Sequence, residues 1–147
     1  MDCFRIVTEF TEAEISALVH PEWCEAFPWL LQGTTTRGLA GAPPFDFGLF
    51  GESSSSKEAR DRWSTLCQKL GARGVVHSQQ VHGAVVCEYE ENSSGISGLD
   101  LVDPCDGHVT STRGLLLAVT SADCVPVFVI DPERRAVAVL HAGWRGA

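Results

Sequence analysis

Three short polar segments interrupt the apolar second half of this chain: Gln80-Val81-His82-Gly83, Ser121-Ala122-Asp123-Cys124-Val125-Pro126 and His141-Ala142-Gly143-Trp144-Arg145-Gly146. Two imidazoles, His82 and His141, and one thiolate, Cys124, form a donor set suited to Zn²⁺. Three protein ligands leave a fourth position for water or substrate, as in catalytic rather than structural zinc sites. The three lie far apart along the chain, unlike the close pairs of a zinc finger, so spacing alone does not decide the chemistry. A buried cysteine with two hydrogen-bonded histidines accounts for the same residue types. A nucleophilic Cys124 with His141 as its base needs the same proximity and no metal.

These residues sit at the ends of predicted strands, where a rigid scaffold presents reactive groups. Valine-rich runs predict strands at Val75–His77, Ala84–Glu90, Leu115–Thr120, Val125–Ile130 and Ala136–Leu140. The last two flank the polar turn Asp131-Pro132-Glu133-Arg134-Arg135, which predicts a β-hairpin. If Asp131 faces Ala136, Pro126 sits opposite His141 and Cys124 lies two residues earlier on the same face, so thiol and imidazole become neighbours. A slip of one residue would separate them.

The remaining elements are a helix and loops. Lys57–Leu70 carries Ala59, Trp63, Leu66, Cys67 and Leu70 at helical spacing, with Ser55 and Glu58 as a capping box. Residues 11–19 have weak helical character, and Pro21, Trp23, Phe27, Pro28 and Trp29 lead into a predicted strand at Leu30–Thr36. Glycine and proline make Arg37–Ser54 an ordered loop, and the acidic, Ser/Gly-rich stretch Glu91–Asp103 predicts an exposed one. The expected fold class is α+β, a mixed or antiparallel sheet with few flanking helices, in one domain spanning 1–147.

Composition narrows the function. With net charge −8 and no Lys/Arg run, the chain lacks the basic footprint of a nucleic-acid binder. Its apolar runs fall well short of the roughly 20 residues that cross a bilayer. Asp2, Arg5 and Glu9 break the first ten residues, which therefore lack the pattern of a secretory signal, and the six cysteines are expected as free thiols in a cytoplasmic protein.

The segment Leu115–Thr120, Ala122-Asp123-Cys124-Val125-Pro126, Asp131 and Leu140-His141-Ala142-Gly143-Trp144-Arg145-Gly146 resembles the signature of the YfiH-like laccase-domain (polyphenol oxidase) family. Gln80-Val81-His82-Gly83, Asp106-Gly107-His108-Val109-Thr110 and Gly33-Thr34-Thr35-Thr36-Arg37-Gly38 are similar to its other motifs, in the same order. The resemblance implies zinc on His82, Cys124 and His141, and a catalytic set of Cys124, His82, His141 and Asp123. It implies an enzyme of purine nucleosides: phosphorolysis of adenosine, inosine, guanosine or methylthioadenosine to base and ribose 1-phosphate, with deamination of adenosine alongside.

Phosphorolysis needs a cationic seat for phosphate, for which Arg37 and Arg145 are candidates because a guanidinium holds phosphate through paired hydrogen bonds. The alternative for each is a surface ion pair. Gln80 and His77 are expected to line the site, and His108 to be an ordinary histidine. Asp123 and Asp106 are each either acid–base groups or supports for a ligand. Trp144 either stacks on a base or packs against the fold.

Copper fits less well than zinc, because blue-copper sites want an axial Met and laccase clusters many histidines, whereas this chain has five His and only Met1. Family members continue past the motif at His141–Gly146 with further helix and sheet, so the chain reads as the family's N-terminal part. An uncovered sheet face or edge would then favour self-association. A non-catalytic remnant that folds with a partner is the alternative to an enzyme.

Overall fold

The computed structural model describes residues 17–36, 46–50, 56–90 and 95–145. The chain divides into two units, residues 1–46 and 47–147. In the first, β1 (Ala17–Leu18) pairs antiparallel with β2 (Thr34–Thr35), and α1 (Pro21–Ala26) lies between them in sequence. Proline occupies the first turn of α1, where its missing N–H costs nothing. Only Thr34–Thr35 of the expected strand Leu30–Thr36 is extended, because the Gln32 amide turns back to bond both the N–H and the C=O of His20. Residues 11–16 lie outside the described residues, and Ala17–Leu18 is strand rather than helix.

The second unit is layered. Helix α2 (Ser56–Leu70) buries Ala59, Trp63, Leu66 and Cys67, the stripe that its spacing predicts; Ser55 of the expected capping box lies outside the described residues. Beside it runs a parallel sheet of β3 (Gly74–Ser78), β5 (Gly98–Val102) and β7 (Leu115–Leu117), in the order β5-β3-β7. A mixed sheet follows, ordered β4-β6-β9-β8, from β4 (Val86–Tyr89), β6 (Gly107–Thr110), β8 (Val125–Asp131) and β9 (Ala136–Ala142). Successive β3 side chains point oppositely: His77 contacts Trp63 of α2, whereas Val76 packs with Tyr89 of the mixed sheet and Ser78 approaches His108. The fold is α+β, as expected.

β5 corrects the expectation of an exposed loop at Glu91–Asp103. Its residues are half-buried, and Gly98 enters the strand at φ +71°, so a Ser/Gly-rich composition conceals a short edge strand held by parallel pairing to β3. β7 ends at Leu117 rather than Thr120, because the Thr120 N–H bonds the Gln80 side chain instead of a neighbouring strand.

The two faces of the mixed sheet differ. His108, Cys87, Tyr89 and Val139 share the core side. On the other, paired residues Val127, Leu140, Gly107 and Val86 form one row, with Val125 and Val129 alongside; Val86, Val125, Val127 and Val129 are exposed. A Cβ on Gly107 would lie 2.6 Å from Leu140 Cδ2 and 3.0 Å from Val86 Cγ2, so glycine lets these side chains pack together without shifting.

On the core side His108 is fully buried, its Nδ1 2.8 Å from the Tyr89 hydroxyl. Burial, reinforced by His77, lowers its pKa to about 4. An unfolded histidine protonates near 6.5, so the unfolded state takes up a proton first as the solution is acidified. Stability is therefore full above about pH 6.5 and falls by about 3 kcal/mol between there and pH 4. Urea midpoints at pH 7.5 and 4.5 are expected to show this drop, and His108→Gln to reduce it; an equal drop in the variant would refute the assignment.

Candidate metal centre

The hairpin of β8 and β9 pairs Asp131 with Ala136 and Pro126 with His141. Asp131 sets the turn, its Oδ1 accepting the N–H groups of Glu133 and Arg134 at 3.0 Å each. His141 consequently faces the core, and Cys124 stands immediately before β8. His82 arrives from the loop after β3. The three donor atoms lie within 4.8 Å of one another, with Cys124 Sγ 3.7 Å from His82 Nε2. The two imidazoles meet edge to face, their centroids 4.9 Å apart. His141 is buried, Cys124 half-buried and His82 partly open to solvent. The sequence reading thus brings together three residues that the fold does bring together.

Local backbone geometry explains how. His82 adopts φ +58°, a left-handed conformation uncommon for a residue with a Cβ. The Asp106 carboxylate accepts the N–H groups of Val81 (3.2 Å), His82 (2.9 Å) and Gly83 (2.8 Å), and lies 2.8 Å from His141 Nδ1. Burial opposes its charge, but the hydrogen bonds from His141 and from the Gly83, Val81 and His82 amides outweigh that and hold the carboxyl below its ordinary pKa. Gly143 lets the two rings approach, since a Cβ there would fall 2.5 Å from His82 Cδ2.

The centre opens on a cleft of about 720 Å³ lined in part by Leu49, Phe50, Gln80, Thr120 and Asp123. Gln80 faces it with its amide engaged: Nε2 donates to Thr120 O, while Oε1 accepts the Thr120 N–H and hydroxyl. That link ties the His82 loop to the segment leading into Cys124, whose carbonyl accepts the Ser121 hydroxyl. Asp123 is exposed on the cleft. Arg145 does not line it; its guanidinium lies 4.6 Å from the ring centre of Trp144, which is 78% exposed rather than packed. Arg37 lies outside the described residues.

His77 departs from expectation. It is buried between Phe50 and Trp63, donates from Nδ1 to Ala118 O, and does not line the cleft, because its place on β3 points it at α2. The residue most understated by sequence is Asp106: its bonds to His82 and His141 span long separations in the chain, and its only local signal is the preference of a carboxylate for consecutive free N–H groups.

Residues 33–147 match the family described as multi-copper polyphenol oxidoreductase laccase. The chain belongs to that family. Among its relatives, a purine nucleoside phosphorylase of Xylella fastidiosa is 34% identical, over 86% of this chain and 53% of that protein. A purine nucleoside phosphorylase of Mycobacterium bovis is 38% identical, over 78% of this chain and 46% of that one. The crystal structure of YlmD from Geobacillus stearothermophilus matches with TM-score 0.75 and 25% identity, over 97% of this chain and 54% of that one. The chain thus spans about half the length of the curated family members it matches.

The donor set fits a divalent metal. Two imidazoles and one cysteine sulfur converge on the cleft, and this is the group of such residues found among those described. Among the described residues no helix is long and apolar enough to cross a membrane.

Proposed function

We propose that this chain carries the metal-holding part of a zinc-dependent purine nucleoside enzyme that cleaves adenosine, and related nucleosides, with phosphate. The convergence of His82, Cys124 and His141 at an open cleft carries the reading. It is supported by relatives named purine nucleoside phosphorylases. In the reaction a phosphate oxygen bonds to the ribose anomeric carbon as the bond to the purine nitrogen breaks, giving ribose 1-phosphate and the free base. A bound zinc ion would supply Lewis acidity there.

The chain's own residues divide the remaining work. Leu49 and Phe50 give the cleft an apolar wall for a flat base. Asp123, exposed and acceptor-rich, suits the amino edge of adenine or a proton in transit. For the phosphate seat Arg37 and Arg145 remain the candidates, Arg145 now lying over the face of Trp144.

Incubating the purified, zinc-loaded chain with adenosine, with and without phosphate, tests this by chromatography. Adenine and ribose 1-phosphate that appear only with phosphate are the expected products; inosine would reveal deamination at the same site. Zinc at one per chain with neither product would sink the catalytic reading and leave a metal-binding module.

A further inference from the structure

Asp106 is 4% exposed and touches both ends of the centre at once. Its Oδ1 accepts the His82 N–H and faces His141 Nδ1; its Oδ2 accepts the Val81 and Gly83 N–H groups. Its main chain is anchored as well, the N–H donating to Val85 O at 3.0 Å and the carbonyl accepting the His141 N–H at 2.7 Å. We propose that Asp106 is the positioning residue of the metal centre, a single carboxylate that fixes the backbone carrying His82 and the ring tautomer of His141 together. This rests on the reading of His82, Cys124 and His141 as metal donors.

Two consequences follow from hydrogen-bond chemistry. Backbone N–H groups only donate, so the carboxylate they surround acts as acceptor, and the His141 proton sits on Nδ1. The Nε2 lone pair is then left for a cation; with the proton on Nε2 that nitrogen could not ligate, and Nδ1 faces Asp106 instead. Secondly, three successive N–H groups converge on one anion, which offsets the cost of holding His82 in the left-handed region. Without the anion those amides lose their partner, and the loop relaxes toward ordinary dihedrals that carry the imidazole away from Cys124.

Asp106→Asn retains the size and one acceptor oxygen but turns an amino group toward N–H donors; Asp106→Glu retains the charge on a longer arm. The test measures Zn²⁺ affinity of the full chain by chelator competition, folding by circular dichroism and urea, and the protonated ring nitrogen of His141 by nitrogen NMR in metal-free protein. Asp106→Asn is expected to unfold cooperatively and yet bind Zn²⁺ about 10- to 100-fold more weakly. Its His141 should shift toward the Nε2–H form, and Asp106→Glu should recover part of the affinity. Unchanged Zn²⁺ affinity in a folded Asp106→Asn, or a wild-type His141 protonated on Nε2, overturns the proposal. If Asp106→Asn fails to fold, the wild-type tautomer decides alone. A wild-type chain that binds no Zn²⁺ refutes the metal reading instead, and the tautomer still judges Asp106.

Discussion

Cys124→Ala and His141→Ala are each expected to take bound zinc from one per chain to essentially none, measured by elemental analysis after gel filtration. Removing one of three donors leaves two, too few to compete with water for a cation beside an open cleft. The two variants should differ in stability. Cys124 is half-buried and its thiol lies 3.7 Å from His82 Nε2, so alanine there costs little. His141 is buried against Asp106, and alanine leaves a buried carboxylate short of a partner, a loss of about 1–3 kcal/mol. Zinc retained in both variants would end the assignment. A thiol nucleophile without metal predicts otherwise: activity that survives chelators and is lost on thiol alkylation.

How far the centre could be read from sequence follows from the range of the interactions that build it. The hairpin was legible because a polar turn beginning at Asp131 and two alternating runs set the pairing locally, and that pairing puts His141 opposite Pro126. Helix α2 was legible for a like reason, its buried stripe being periodic. What was not legible depends on contacts between distant segments. β5 is a strand only because β3 lies beside it, and its own composition argues for a loop. The Gln80 amide, expected to line the site, is bound to Thr120, forty positions away, so its contribution includes holding the cleft wall together.

The site also bears on the family's copper description. The candidate donor set is two imidazoles and one cysteine sulfur, enough for a single ion, with His141 on strand β9 and His82 and Cys124 on the segments after β3 and before β8. Nothing in that donor set demands redox chemistry, and it suits a closed-shell cation as well as copper. The exposed valine row on the far side of the mixed sheet is independent of this chemistry, because the candidate donors approach from the core side of β9 and from loops beside it.

Gly143→Ala is expected to lower Zn²⁺ affinity by about two orders of magnitude while leaving all three donors in the sequence. A Cβ at this position would fall 2.5 Å from His82 Cδ2, 3.1 Å from His82 Cγ and 3.3 Å from His141 Cε1, so it presses on both rings. Cβ contacts shorter than 3.0 Å are essentially never found, hence something must move. The His141 ring cannot, being buried and joined to Asp106 at 2.8 Å, and the backbone of His82 is held by the same carboxylate. The His82 ring therefore swings outward by roughly 1 Å, enough to spoil a site built to sub-ångström tolerance. Overpacking adds about 1–3 kcal/mol of lost stability, which urea unfolding of the metal-free chain would report. Near-native zinc affinity in Gly143→Ala would refute the steric argument that seats the His82 imidazole against Gly143 as a donor.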